Sequence, residues 1–176
     1  MATNAAELAR LAGQLCVLRA RPQDFPHAPR LLLALWVAGI VLDSLVGQVL
    51  GFGAGALGEA VLSSVVVLGL CWIALAIRAL RHRFVQAAIA LLAAGLVFSL
   101  GQLLLALLAG DVPVEGQAPT AAQLVAGWAA LGLLAWQVGV FAHVMHHAME
   151  AAYGLAFALV VSWVVAYWAL DGLLFP

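Results

Sequence analysis

The sequence predicts an all-α integral membrane protein: a bundle of five transmembrane helices preceded by an N-terminal amphipathic interfacial helix. Two observations carry this reading. Of the 176 residues, 66% are hydrophobic and only 9% are charged, and mean hydropathy is +1.13. An ordinary soluble domain has roughly 45–50% apolar and 25% charged residues. The apolar residues also fall in runs of about twenty, the length of a helix crossing a bilayer core. They do not alternate as the strands of a membrane barrel would. Inside lipid only helices and closed barrels satisfy every backbone group, so helices remain.

Residues 1–30 are expected to form a cytoplasmic amphipathic helix and a Pro-rich lead-in. Asn4 can cap the helix, and Glu7 three positions on can close a capping box. Leu8, Leu11, Leu15 and Leu18 recur at helical spacing, with Arg10, Gln14 and Arg21 mostly elsewhere around the helix. This pattern places residues 5–20 flat on the membrane surface, with arginines toward anionic headgroups. The alternative is an apolar face covered by another protein. Pro22, Pro26 and Pro29 end the helix and lead into the first span.

Residues 31–176 form the transmembrane domain, with spans at about 31–52, 58–77, 84–109, 120–142 and 152–173. Gly51 to Gly55 make a glycine-rich turn, and Arg78, Arg81, His82 and Arg83 separate the second and third spans. Asp111 to Pro119 is a polar loop, and His143 to Glu150 form the last break. All seven basic residues are arginines, and all lie before span one or between spans two and three. Five spans put those regions on one side, which the positive-inside rule makes cytoplasmic; the C-terminus is then periplasmic. Glu59, Asp111, Glu115 and Asp171 are expected on the outward side. Trp36, Trp72 and Tyr153 fall near the inner interface and Trp128, Tyr167 and Trp168 near the outer one. Trp136 and Trp163 lie deeper, where packing between helices is expected.

A net charge of −1 gives no basic field for nucleic acid. The partners implied are the lipid bilayer and other membrane proteins or further copies of this chain. A composition without lysine but rich in Arg, Ala, Gly and Leu points to a GC-rich bacterial genome, hence a bacterial inner membrane. Cys16 precedes the first span and Cys71 lies within the second, so no disulfide is expected. Residues 1–30 contain no apolar h-region, so targeting falls to the first span.

Two groups of residues can carry chemistry. Asp43 is the single ionisable residue well inside a span, and a carboxyl there costs roughly 2.5–3.5 kcal/mol on insertion scales. Gln48, Gln102 and Gln137, with Ser44, Ser64 and Ser99, can join it in lining a polar cavity that opens outward. The same residues can instead tie the helices together by hydrogen bonds worth about 0.6 kcal/mol each. The second group is His143, His146, His147 and Glu150, three or four apart and so on one helix face. Imidazoles at that spacing can hold zinc, iron or copper, with His27 and His82 on the same side. Otherwise they replace arginines at a helix end and complement its negative dipole. The run has the form of a membrane-desaturase histidine box, but five histidines and no HxxxH partner box exclude that enzyme class. No other cofactor is implied. Gly47 with Gly51, and Gly132 with Gly139, are candidate close helix contacts.

Five spans, a cytoplasmic N-terminal helix and the segment Arg21-Pro22-Gln23-Asp24-Phe25-Pro26 resemble the bacterial members of the Yip-domain family. That resemblance implies a non-catalytic membrane protein that binds or organises other membrane components, and it carries over no catalytic residue. The alternatives are a small solute or ion transporter acting as a homo-oligomer around Asp43, and a metal-binding protein using His143, His146 and His147.

Overall fold

In a computed structural model, residues 5–110 and 118–174 are described. The expected Asn4 cap and the acidic loop residues Asp111 and Glu115 lie outside them. The fold is all-helical: α1 (Ala5–Cys16), α2 (Pro29–Val49), α3 (Ala56–Ile77), α4 (Phe84–Ala109), α5 (Ala121–Met149) and α6 (Tyr153–Leu174). The last five are long and apolar enough to cross a membrane. They form a ring in which α2 contacts α3 and α4, α4 contacts α5, α5 contacts α6, and α6 returns to α3.

Local chemistry sets the ends. Thr120 accepts from the Gln123 N–H at 3.3 Å while the Gln123 side chain accepts from the Thr120 N–H at 2.7 Å, a reciprocal cap on α5. Gly51 and Gly53 adopt φ of 87° and 56° in the turn after α2, which glycine enters without a Cβ penalty. Gly51 is therefore a turn residue, not a helix-contact glycine. Gly47 is the close approach: a Cβ there would stand 2.9 Å from the Ala56 Cβ on α3. Gly132 has open space around it, and Gly139 serves through its carbonyl, which accepts from the Tyr153 hydroxyl at 3.2 Å.

Two expected boundaries move. The first span stops at Val49, where the glycine turn begins, rather than at 52. The fourth runs on to Met149 rather than stopping at 142. His143 to Met149 lower the apolar average yet remain good helix, and the stop comes from Glu150, left-handed at φ 51°.

α1 also departs from expectation. Its apolar face lies on the chain's own bundle, mainly against α4, with Leu15 fully buried and Leu8 and Leu11 partly so. The reason lies in α4, where Ala87 to Leu91 are buried on every side. That alanine-rich half gives α1 a close apolar bed. A 3-10 turn, Pro22–Asp24, continues the docked segment, and Asp24 accepts from the Arg21 N–H at 2.8 Å.

Packing is uneven along the bundle axis. At the end bearing Arg78, Arg81 and Arg83, α4 and α5 contribute a dense core that includes Ile89, Leu91, Val140, Val144 and Met145. In α5 every buried residue lies between Val140 and Met149, none in the half beginning at Ala121. One half of the ring is solid and the other is hollow.

Candidate functional site

The hollow half contains a cavity of about 330 Å³ lined by all five ring helices. Its water capacity, at ~30 Å³ per molecule, is about eleven. The lining residues recur at three- and four-residue steps, so each helix gives one stripe: Trp36, Gly39, Ile40 and Asp43 on α2, for instance, and Val160, Trp163, Val164 and Tyr167 on α6. The closed end lies at Trp36, Leu91 and Phe141, against the dense core. The far end reaches Phe52, Glu59 and Trp168.

Polar groups concentrate there. Asp43, Gln102, Gln137, Ser64 and Ser99 line the cavity as the sequence suggests. Ser99 donates its hydroxyl to Asp43 Oδ1, the one hydrogen bond of that carboxylate among the described residues. Ser64 accepts from the Trp36 indole at 2.9 Å and donates to the Val61 carbonyl at 2.9 Å. Gln48 is corrected: it is exposed on the outside of α2 and does not line the cavity, because its position is one step off the stripe through Asp43 and Gly47. Ser44 is buried beside the cavity without lining it.

Several lining groups were expected elsewhere by the sequence reading. Trp36, Glu59, Tyr167 and Trp168 read there as interfacial and Ser63 as part of an apolar run, yet all five line the cavity; Trp163 packs in the core as expected and lines it too. The spacing Glu59–Ser63 on α3 and Trp163–Tyr167–Asp171 on α6 was the available signal, one face at four-residue steps. Asp43 and Glu59 line this half and Asp171 lies one turn beyond Tyr167 on α6, so carboxylates gather in this region. Trp163 is 2% exposed, and its indole N–H has no hydrogen-bond partner among the described residues. Trp136, by contrast, is not packed between ring helices: it is 58% exposed and donates to the Cys16 carbonyl at 2.8 Å.

The histidine cluster sits at the opposite end. The His147 ring lies with its centroid 4.5 Å from that of His143 and 4.7 Å from that of His146. One nitrogen each of His143 and His146 meets backbone: His143 Nε2 is 3.1 Å from the Ala20 carbonyl, and His146 Nδ1 bonds the Ala151 carbonyl. Glu150 forms an ion pair with Arg83 at 2.6 Å, and Arg83 and Arg78 also donate to the last carbonyls of α5. Among the described residues no three His, Cys, Asp or Glu side chains are placed to share one metal ion. These groups tie the 20–25 segment and cap a helix; as a donor set they do not fit a metal.

The chain matches no family model, no curated protein and no solved structure.

Proposed function

We propose that this chain is a multi-pass protein of a bacterial inner membrane, N-terminus cytoplasmic and C-terminus periplasmic, that binds a small solute in the cavity around Asp43. It performs no chemistry on that solute; it serves as a carrier or a binding subunit. The observation that carries this reading is a cavity of about 330 Å³ containing an intramembrane carboxylate with a single hydrogen bond. Pockets of 300–1,000 Å³ with an apolar wall and a few convergent polar groups are the usual form of a small-molecule site. Helix association alone does not require such a space, since interhelical hydrogen bonds form between touching helices. The five ring helices of one chain supply the cavity's lining, so a solute site needs no second copy.

Gly39 provides the test, because it lines the cavity and a Cβ there would meet nothing within 4 Å. Gly39→Leu should fill the space without distorting the ring. A thermal-shift screen of small solutes on purified protein should find at least one that stabilises the parent and not this variant. Equal response of parent and variant, or no response in either, removes the reading. Single cysteines at Leu80 and Ala118, in a background lacking Cys16 and Cys71, test orientation. An impermeant reagent applied to intact inner-membrane vesicles of known sidedness should separate the two.

A second reading follows from the Yip-like outline: a non-catalytic protein that organises other membrane components, with Val17 and Leu18 exposed beside the docked N-terminal segment. Its mark would be a stoichiometric partner that co-purifies in mild detergent and survives Gly39→Leu.

A further inference from the structure

The cavity's charge is one-sided. Asp43 and Glu59 line it, while no Arg or His does among the described residues. The nearest clustered cations are the arginines at the far end, and Arg83 is already paired with Glu150. A carboxylate held in an apolar bundle needs compensation, since an isolated buried charge is costly and breaking such compensation is costlier. Ser99 supplies one donor to Asp43 Oδ1 and leaves the second oxygen unbonded. Among the described residues no cationic side chain lines the cavity to compensate it. The rings of Trp36, Phe141, Trp163 and Tyr167 line the same space. An aromatic wall beside a carboxylate is the recognition chemistry of ammonium groups, through cation–π attraction and direct pairing.

We propose that the cavity takes a small organic ammonium compound, with the Asp43 carboxylate as its charge partner and the aromatic rings as its wall. This rests on the solute-binding reading above and narrows it. An anion would face two carboxylates. A neutral polyol would leave Asp43 uncompensated. A hard divalent cation needs six or more oxygen ligands, and no three candidate side chains converge. The shared chemistry is the ammonium group, whether it arrives on a free amine or on a lipid headgroup.

The test compares choline with 3,3-dimethylbutan-1-ol, which has the same shape and hydroxyl but carbon in place of the charged nitrogen. Binding is measured by calorimetry on full-length protein in a maltoside detergent, free of choline lipids. Choline is expected to bind at least tenfold more tightly than the neutral alcohol. Asp43→Asn, which retains an acceptor for the Ser99 hydroxyl, is expected to bring choline down to the level of the alcohol while the melting temperature stays within a few degrees. Gly39→Leu is expected to abolish both. Glycerophosphoethanolamine competing as well as choline would assign the site to a headgroup; failure to compete would assign it to a free amine, and both outcomes uphold the ammonium. Equal affinity for choline and its neutral isostere, each lost in Gly39→Leu, overturns the ammonium assignment and leaves the solute site standing. Choline binding that survives Asp43→Asn also overturns it. No binding of either compound overturns the ammonium assignment, and the solute site then stands or falls on the thermal-shift screen of parent against Gly39→Leu.

Discussion

Ser99 on α4 and Asp43 on α2 share the one side-chain hydrogen bond that joins those two helices among the described residues. The serine hydroxyl has a single proton and two acceptors within reach, the carboxylate and the Gly95 carbonyl at 3.0 Å. An ionised Asp43 draws that proton; a protonated one can donate to Ser99 and release the hydroxyl to Gly95. Ser99→Ala removes both arrangements and is expected to cost about 0.5–2 kcal/mol of stability. In the Asp43→Asn background the same change should cost less, because the charge-assisted component is already gone. Additive losses in that double-mutant cycle would show that the two side chains are uncoupled.

The N-terminal segment is held by a ladder of hydrogen bonds to α4 and α5. Gln86 Nε2 donates to the Phe25 carbonyl at 2.9 Å, Trp136 Nε1 to that of Cys16 at 2.8 Å, and Gln23 Nε2 to the His147 carbonyl at 2.9 Å. Gln86→Ala should weaken docking by roughly 0.5–1.5 kcal/mol. Hydrogen exchange should then speed up across residues 20–27 while α6 keeps its rate. Uniform acceleration through all helices would contradict a local role.

Arg83 and Glu150 pair at 2.6 Å with side-chain exposures of 24% and 64%. Solvent screens a pair that open, so Glu150→Gln is expected to cost well under ~1 kcal/mol, less still in high salt. Arg83→Ala should cost more, because Arg83 also donates to the Ala148 carbonyl at 3.5 Å and stands at the negative end of α5. Chemical or thermal denaturation of the two variants at low and high salt would rank them. The reverse order would show that the ion pair, not the cap, holds this corner.

Cys16 is half-buried, and burial pushes its thiol above the ordinary value because the charged thiolate is disfavoured there. Its maleimide labelling rate should therefore rise at higher pH than that of a free thiol peptide. The folded form holds its proton more tightly than the unfolded one, so this group's contribution to stability is intact below the ordinary thiol value. It is lost as pH climbs through the folded value. A labelling profile that coincides with the peptide's would refute this placement.

Gly47 and Gly132 should respond oppositely to a side chain. Gly47→Leu drives atoms into Ala56 at the α2–α3 contact and is expected to cost about 1–3 kcal/mol or more. Gly132→Ala meets nothing within 4 Å and should be neutral or stabilising by up to roughly 1 kcal/mol. Melting temperatures of the two variants in detergent would separate them.

The number of helices, their order and the gathering of Arg78, Arg81 and Arg83 at one end were legible from residue order alone. Hydropathy needs only a window of about nineteen residues, and a polar break is a local event. Boundaries were less secure where polarity and helicity part company. His143 to Met149 read as a break yet continue α5, since nothing in an imidazole stops a helix until the left-handed Glu150 does.

The site was half legible. Asp43, Ser99, Gln102 and Gln137 stood out because polar residues are rare in apolar runs, and they line one cavity. Gln48 was equally rare and faces outward; Glu59 and Tyr167 seemed interfacial and line the cavity. In a helix apolar all round, periodicity does not mark which stripe points to the centre, so orientation comes only from the neighbours. The same holds for α1, whose amphipathic face suits a membrane surface or the alanine bed of α4 equally well. Composition and residue order thus determined what kind of solvent this chain is built for and how many helices it has. Tertiary packing alone decided which faces meet, that one half closes into a core while the other stays hollow, and that a carboxyl group with a single hydrogen bond among the described residues ends up lining the space between.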